Sequence, residues 1–144
     1  MTNVHGTRTI VVGVDGSGHA EHALDWALSQ AEVTGDQVLA VTCWEYPVNL
    51  GWVPPMPVDY RPDEDARTML DQAVEKARAE HPGVDVHRLV VEGSAAGGLI
   101  DAAKGADLLV VGTRGHGGFA GLLLGSVSEH CVAHAPCPVV VVRH

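Results

Sequence analysis

Residues 106–133 read ADLLVVGTRGHGGFAGLLLGSVSEHCVA, and this stretch decides the fold. Ala106 to Val111 is an apolar run of strand length, of the kind buried on both faces of a parallel sheet. Glycines follow at 112, 115, 117, 118, 121 and 125. Ser126 to Ala133 suits a helix. Glycine lets the backbone approach a ligand closely. A helix start leaves free N–H groups and a partial positive charge. Gly125, Ser126 and Val127 are therefore placed to direct N–H groups at a phosphate, and the Ser126 hydroxyl adds a donor. Two readings stay open here. The loop is either a ligand cradle or a flexible connector, and Ser126 either a ligand contact or a helix cap.

Outward from this stretch, strand and helix alternate. Arg8 to Val14 reads as a buried strand, followed by an Asp15-Gly16-Ser17-Gly18 turn. Helical spacing runs through Ala20, Ala23, Leu24, Ala27, Leu28 and Ala31, with Ser17 or Gly18 as its cap and Gly35 as its end. Gln37 to Trp44 is a second strand. Residues 45–62 hold five of the eight prolines and read as a long surface loop. Helical spacing resumes from Asp63 to Glu80. Val84 to Val91 is a third strand, Ser94 to Lys104 a short helix, and Cys137 to Val142 a fifth strand. No hairpin signal separates the strands. The expected architecture is one α/β domain over residues 1–144, with a parallel sheet covered by helices on both faces. In such sheets ligands sit beyond the carboxyl ends of strands, where the winding reverses. Two strand ends stand out: Gly13-Val14-Asp15 and Gly112-Thr113-Arg114-Gly115.

Composition narrows the classes. The 144 residues are 46% apolar and only 4% aromatic, so Val, Leu, Ile and Ala must build the core. The formal charge of −9 repels nucleic-acid phosphates and anionic lipid heads, and no basic run offsets it. Neither nucleic acid nor a membrane is expected as a partner. Cys43, Cys131 and Cys137 form no paired framework, which fits a reducing, cytoplasmic setting. The polar N-terminus lacks an apolar signal region.

The glycine loop meets some signatures and fails others. A phosphate loop of the G-x-x-x-x-G-K-[ST] type is absent, and residues 112–126 contain no lysine. Gly115 to Ala120 matches G-x-G-x-x-[GA], but no acid follows at the dinucleotide spacing. The longer pattern Gly112-x2-Gly115-x9-Gly125-Ser126 is more specific. With Val14-Asp15-Gly16-Ser17, Val110 to Gly115, Leu124 to Val127 and Pro136 to Val142, it resembles the universal stress protein family, over nearly the whole chain. This resemblance implies a five-stranded doubly wound sheet in the order 3-2-1-4-5, of the adenine-nucleotide alpha-hydrolase-like kind. It implies ATP as ligand, with Mg²⁺ held mainly by phosphate oxygens. Gly112 and Gly115 would face ribose and phosphates, and Gly125, Ser126 and Val127 would hold the phosphates. Gly13, Val14 and Asp15 would border adenine and ribose, with Cys43 near the adenine edge. Thr113, Arg114 and His116 are further candidates in the same segment. The resemblance also implies a homodimer through Val139 to Val142, an apolar edge strand.

Three functions follow as expectations. The first is an ATP-binding stress-response module without dedicated catalysis, since no general base, nucleophile or phosphate-clamping lysine is evident beside the loop. The second is a slow ATPase or nucleotidyl or phosphoryl transferase, using Asp15 or His116 to position water or an acceptor. The third is a dimeric interaction module that binds no nucleotide. Asp15 itself reads either as a turn former or as a ligand contact. His130 and His134, four residues apart on a helix, could share a metal, but no third ligand is fixed by the sequence. A phosphoacceptor receiver would need paired acids after strand one and a lysine after strand five, and neither is present.

Overall fold

The computed structural model describes residues 8–46, 61–114 and 124–143. Residues 47–60 of the proline-rich stretch lie outside them, as do Gly115 and His116. The elements in chain order are β1 (Thr9–Gly13), α1 (Gly18–Thr34), β2 (Gln37–Trp44), α2 (Pro62–Glu80), β3 (Val86–Glu92), α3 (Ala95–Ala102), β4 (Leu108–Gly112), α4 (Ser126–His134) and β5 (Val139–Val142). The strands pair in parallel as β3-β2-β1-β4-β5, the expected order. The chain winds from β1 out to β3, then returns past β1 to β4. The reversal falls between β1 and β4.

Strand side chains alternate between faces, and both faces are covered. Ile10, Val12, Val38, Ala40 and Val110 pack in one layer with Leu24 and Leu28 of α1 and Leu70 and Val74 of α2. Val11, Val41, Leu109 and Val111 pack in the other with Leu99 of α3, Ala103 just past its end and Cys131 of α4. The near-absence of polar residues in β1 and β4 follows from this double burial.

Local chemistry sets the ends of the elements. Ser17 caps α1, its Oγ accepting from the Ala20 N–H at 3.2 Å. Gly35 ends the helix in the left-handed conformation, φ 81°, and its N–H reaches the Ala31 carbonyl. Several boundaries differ by a residue or two from the sequence expectation, and two of them have a clear local cause. Helix α2 begins at Pro62 rather than Asp63, because proline suits a first helical position whose N–H would go unused. Strand β5 begins at Val139 rather than Cys137. The Pro138 carbonyl accepts from the Leu109 N–H at 2.9 Å, but proline has no N–H to extend the ladder.

Candidate functional site

Where β1 and β4 end, the chain leaves in opposite directions and a cavity of about 240 Å³ opens. Strand β1 and its exit supply Gly13, Val14 and Asp15. Strand β2 supplies Val41 and Cys43, and helix α3 supplies Ala95 and Leu99. Strand β4 supplies Val111 and Gly112, followed by Arg114. The start of α4 supplies Gly125, Ser126, Val127 and Ser128. Nine of the twelve residues singled out from sequence therefore line one cavity. Thr113 does not line it; its N–H donates to the Val142 carbonyl at 3.2 Å, and its Oγ1 lies 3.3 Å from His19 Nδ1. Gly115 and His116 fall outside the described residues.

The strand ends are pinned by bonds that the sequence did not reveal. The Val14 N–H donates to the Val41 carbonyl at 2.8 Å, and the buried Thr42 hydroxyl donates back to the Val14 carbonyl at 2.9 Å. Asp15 Oδ1 accepts from the Ser17 N–H at 2.9 Å and from the Ser17 hydroxyl at 2.6 Å. Asp15 thus forms an Asx turn and lines the cavity at once, so its two readings are compatible.

Two glycines pack closely against helices. A Cβ on Gly112 would stand 2.8 Å from the His19 carbonyl oxygen and 2.9 Å from its carbon, both backbone atoms of α1. A Cβ on Gly13 would stand 2.8 Å from Leu99 Cδ1 of α3. Close helix approach alone demands glycine at 112, whatever a ligand adds.

Three helices border the cavity, and their starts differ. Helices α1 and α3 carry serine caps, Ser94 accepting from the Gly97 N–H at 3.1 Å. Helix α4 has Gly125 at the cap position, with no side chain to bond its first-turn N–H groups. The start of α4 lines the cavity, and an uncapped first turn with its helix dipole is suited to an anion. Gly125 is itself fixed, its N–H donating to the Thr113 carbonyl at 2.7 Å. Ser126 is the first helical residue and not the cap.

The opposite wall is neutral. Burial, and then the nearby Cys131 and Glu45, push the Cys43 thiol up to about 11. It stays protonated at neutral pH and faces the Ala95 carbonyl oxygen at 3.7 Å as a weak donor. With Val41, Ala95 and Leu99 it makes an apolar surface suited to a flat ring. Ala95, Leu99, Val41 and Ser128 were not foreseen. Ala95 and Leu99 come from α3, which sequence spacing cannot bring to this point, whereas Val41 and Ser128 lie two residues from Cys43 and Ser126 on elements already expected there. His130 and His134 do meet, ring centroids 4.6 Å apart, but among the described residues no three His, Cys, Asp or Glu side chains gather around a metal position.

A doubly wound parallel sheet with an anion-suited helix start and an apolar wall at its reversal defines an α/β fold of the nucleotide-binding type. The sequence model of the universal stress protein family matches residues 6–143, and the chain belongs to this family. A universal stress protein of Mycolicibacterium smegmatis is 37% identical over 135 residues, covering 93% of this chain and 45% of the relative. The chain thus spans about half the length of that curated relative. Among solved structures, a universal stress protein in complex with cAMP superimposes with a TM-score of 0.74 at 27% identity, covering 95% of this chain and 97% of the other. One from Archaeoglobus fulgidus in complex with dAMP does so with a TM-score of 0.66 at 27% identity, covering 93% and 96%.

Proposed function

We propose that the cavity binds an adenine nucleotide, ATP in the working state, and that the protein is a nucleotide-responsive module of the stress response. The single observation that carries this reading is the pairing across one cavity of an apolar wall with the glycine-capped start of α4. The likeness to structures holding cAMP and dAMP supports the adenine moiety. Adenine would lie against Val41 and Cys43, with Gly13, Val14 and Asp15 bordering base and ribose. The phosphates would meet the N–H groups of Ser126 and Val127, flanked by Gly112, Arg114 and the segment holding Gly115 and His116. Mg²⁺ would ride on the phosphate oxygens. Three free thiols support a reducing, cytoplasmic setting, and among the described residues no helix is long and apolar enough to cross a membrane. Residues 1–144 are proposed to work as one unit.

Calorimetry on nucleotide-free protein with ATP and Mg²⁺, AMP and cAMP tests the site. The wild type is expected to bind, and Ala95→Phe, which fills the cavity, is expected to lose at least about tenfold in affinity. Equal binding by both proteins would move the site elsewhere, and binding by neither would sink the nucleotide reading.

We also propose a homodimer through β5. Val139 to Val142 form an edge strand and stay half-exposed, and Val132 on neighbouring α4 is 53% exposed. Light scattering is expected to give twice the chain mass; a monomer at micromolar concentration would contradict it.

A further inference from the structure

We infer that Ser128 is a positioning residue, holding the phosphate-facing end of α4 on the end of β4 and so setting affinity for the phosphate of a nucleotide rather than for its nucleoside. This rests on the adenine-nucleotide reading of the cavity. Ser128 is 2% exposed, one of three buried polar side chains among the described residues. Its Oγ donates to the Gly112 carbonyl. Three residues earlier, the Gly125 N–H donates to the Thr113 carbonyl at 2.7 Å. Two successive carbonyls at the exit of β4 are thus held by the start of α4. The latch spans the base of the loop, whatever the loop itself does. It lies beside Ser126 and Val127 at the start of α4, and its two bonds run to β4 and its exit, not to Val41, Cys43, Ala95 or Leu99.

A purely local role fits poorly. Alanine is a better helix former than serine, so a serine kept only to fill the helix would be no loss to α4 when replaced. The hydroxyl also ties α4 to a strand sixteen positions away in sequence. Removing it leaves the Gly112 carbonyl without that donor and frees the helix start to shift. Phosphate recognition is sensitive to such shifts because N–H···O bonds weaken steeply off their axis. Stacking on an apolar wall is far more tolerant.

The test is calorimetric Kd for AMP and for adenosine, with wild type and S128A, alongside thermal melting. Wild type is expected to bind AMP more tightly than adenosine. S128A is expected to weaken AMP by about tenfold and adenosine by less than about twofold. Should S128A fail to melt cooperatively, S128C, near-equal in volume and a weak donor, is expected to shift in the same direction. Unchanged AMP binding by S128A would overturn the role of Ser128 alone. Equal losses for both ligands would also overturn it, marking a general loosening. Wild type binding neither ligand would overturn the nucleotide reading, and this role with it.

Discussion

His81 stops α2 and is buried, 8% exposed, although it is a titratable side chain. Its Nε2 lies 2.8 Å from Asp25 Oδ1, and its Nδ1 lies 2.9 Å from Glu32 Oε1 as an ion-pair contact. Both carboxylates belong to α1, so this imidazole clips α2 to α1. The hydrogen bond to Asp25 lifts its pKa above the ordinary 6.5; burial opposes this, and Glu32 adds to the lift. A raised pKa means the folded state holds its proton more tightly than the unfolded chain. The stabilisation is therefore complete below pH 6.5 and fades as pH rises through the folded value. His81→Gln is expected to cost about 1–2 kcal/mol at pH 6, the lower part of the range because Asp25 is exposed. That corresponds to a melting temperature lower by about 2–4 °C per kcal/mol, with the gap narrowing as pH rises above the ordinary histidine range. A gap independent of pH would contradict the clip. At this scale the sequence was only partly legible. Nine histidines gave no reason to single out His81, because its partners lie about fifty positions away in sequence. Gly112 was legible as special, but the backbone of His19 that demands it was not.

Among the elements, those governed by local rules read most clearly. The apolar face of α1, its Ser17 cap and its Gly35 stop all lie within a few residues of one another, so spacing alone reveals them. The strands buried on both faces announce themselves as valine-rich runs. Helix α3, expected over Ser94 to Lys104 and found at Ala95–Ala102, shows what local rules leave out. It is eight residues long and contains Gly97 and Gly98, poor helix formers. A Cβ at Gly98 would fall 2.4 Å from Cys43 Sγ and 3.1 Å from Val91 Cγ2. The glycine lets α3 lie close on β2 and β3, which brings Ala95 and Leu99 to the cavity. Packing overrides propensity here, and no local pattern encodes it. The start of β5 was misplaced for a similar reason. Cys137 continues the apolar run, but Pro138 cannot donate to β4.

For the whole molecule, the alternation of strands and helices fixes a parallel sheet, and the reversal between β1 and β4 fixes where a ligand can enter. The glycine pattern from 112 to 125 marks one wall of that entrance. On the other wall Cys43 of β2 was expected from the family resemblance, and Ala95 and Leu99 of α3 become visible only once the sheet order places them there. Site and fold are thus one feature, since the cavity exists because the winding reverses. The deciding measurement is amide chemical-shift mapping by NMR, adding AMP to nucleotide-free protein. Shifts are expected at Gly13, Val14, Cys43, Gly112 and Gly125 to Ser128, with His87 and the far end of the sheet unmoved. Saturable shifts centred on other residues, or none at millimolar AMP, would contradict the assignment of this cavity to an adenine nucleotide.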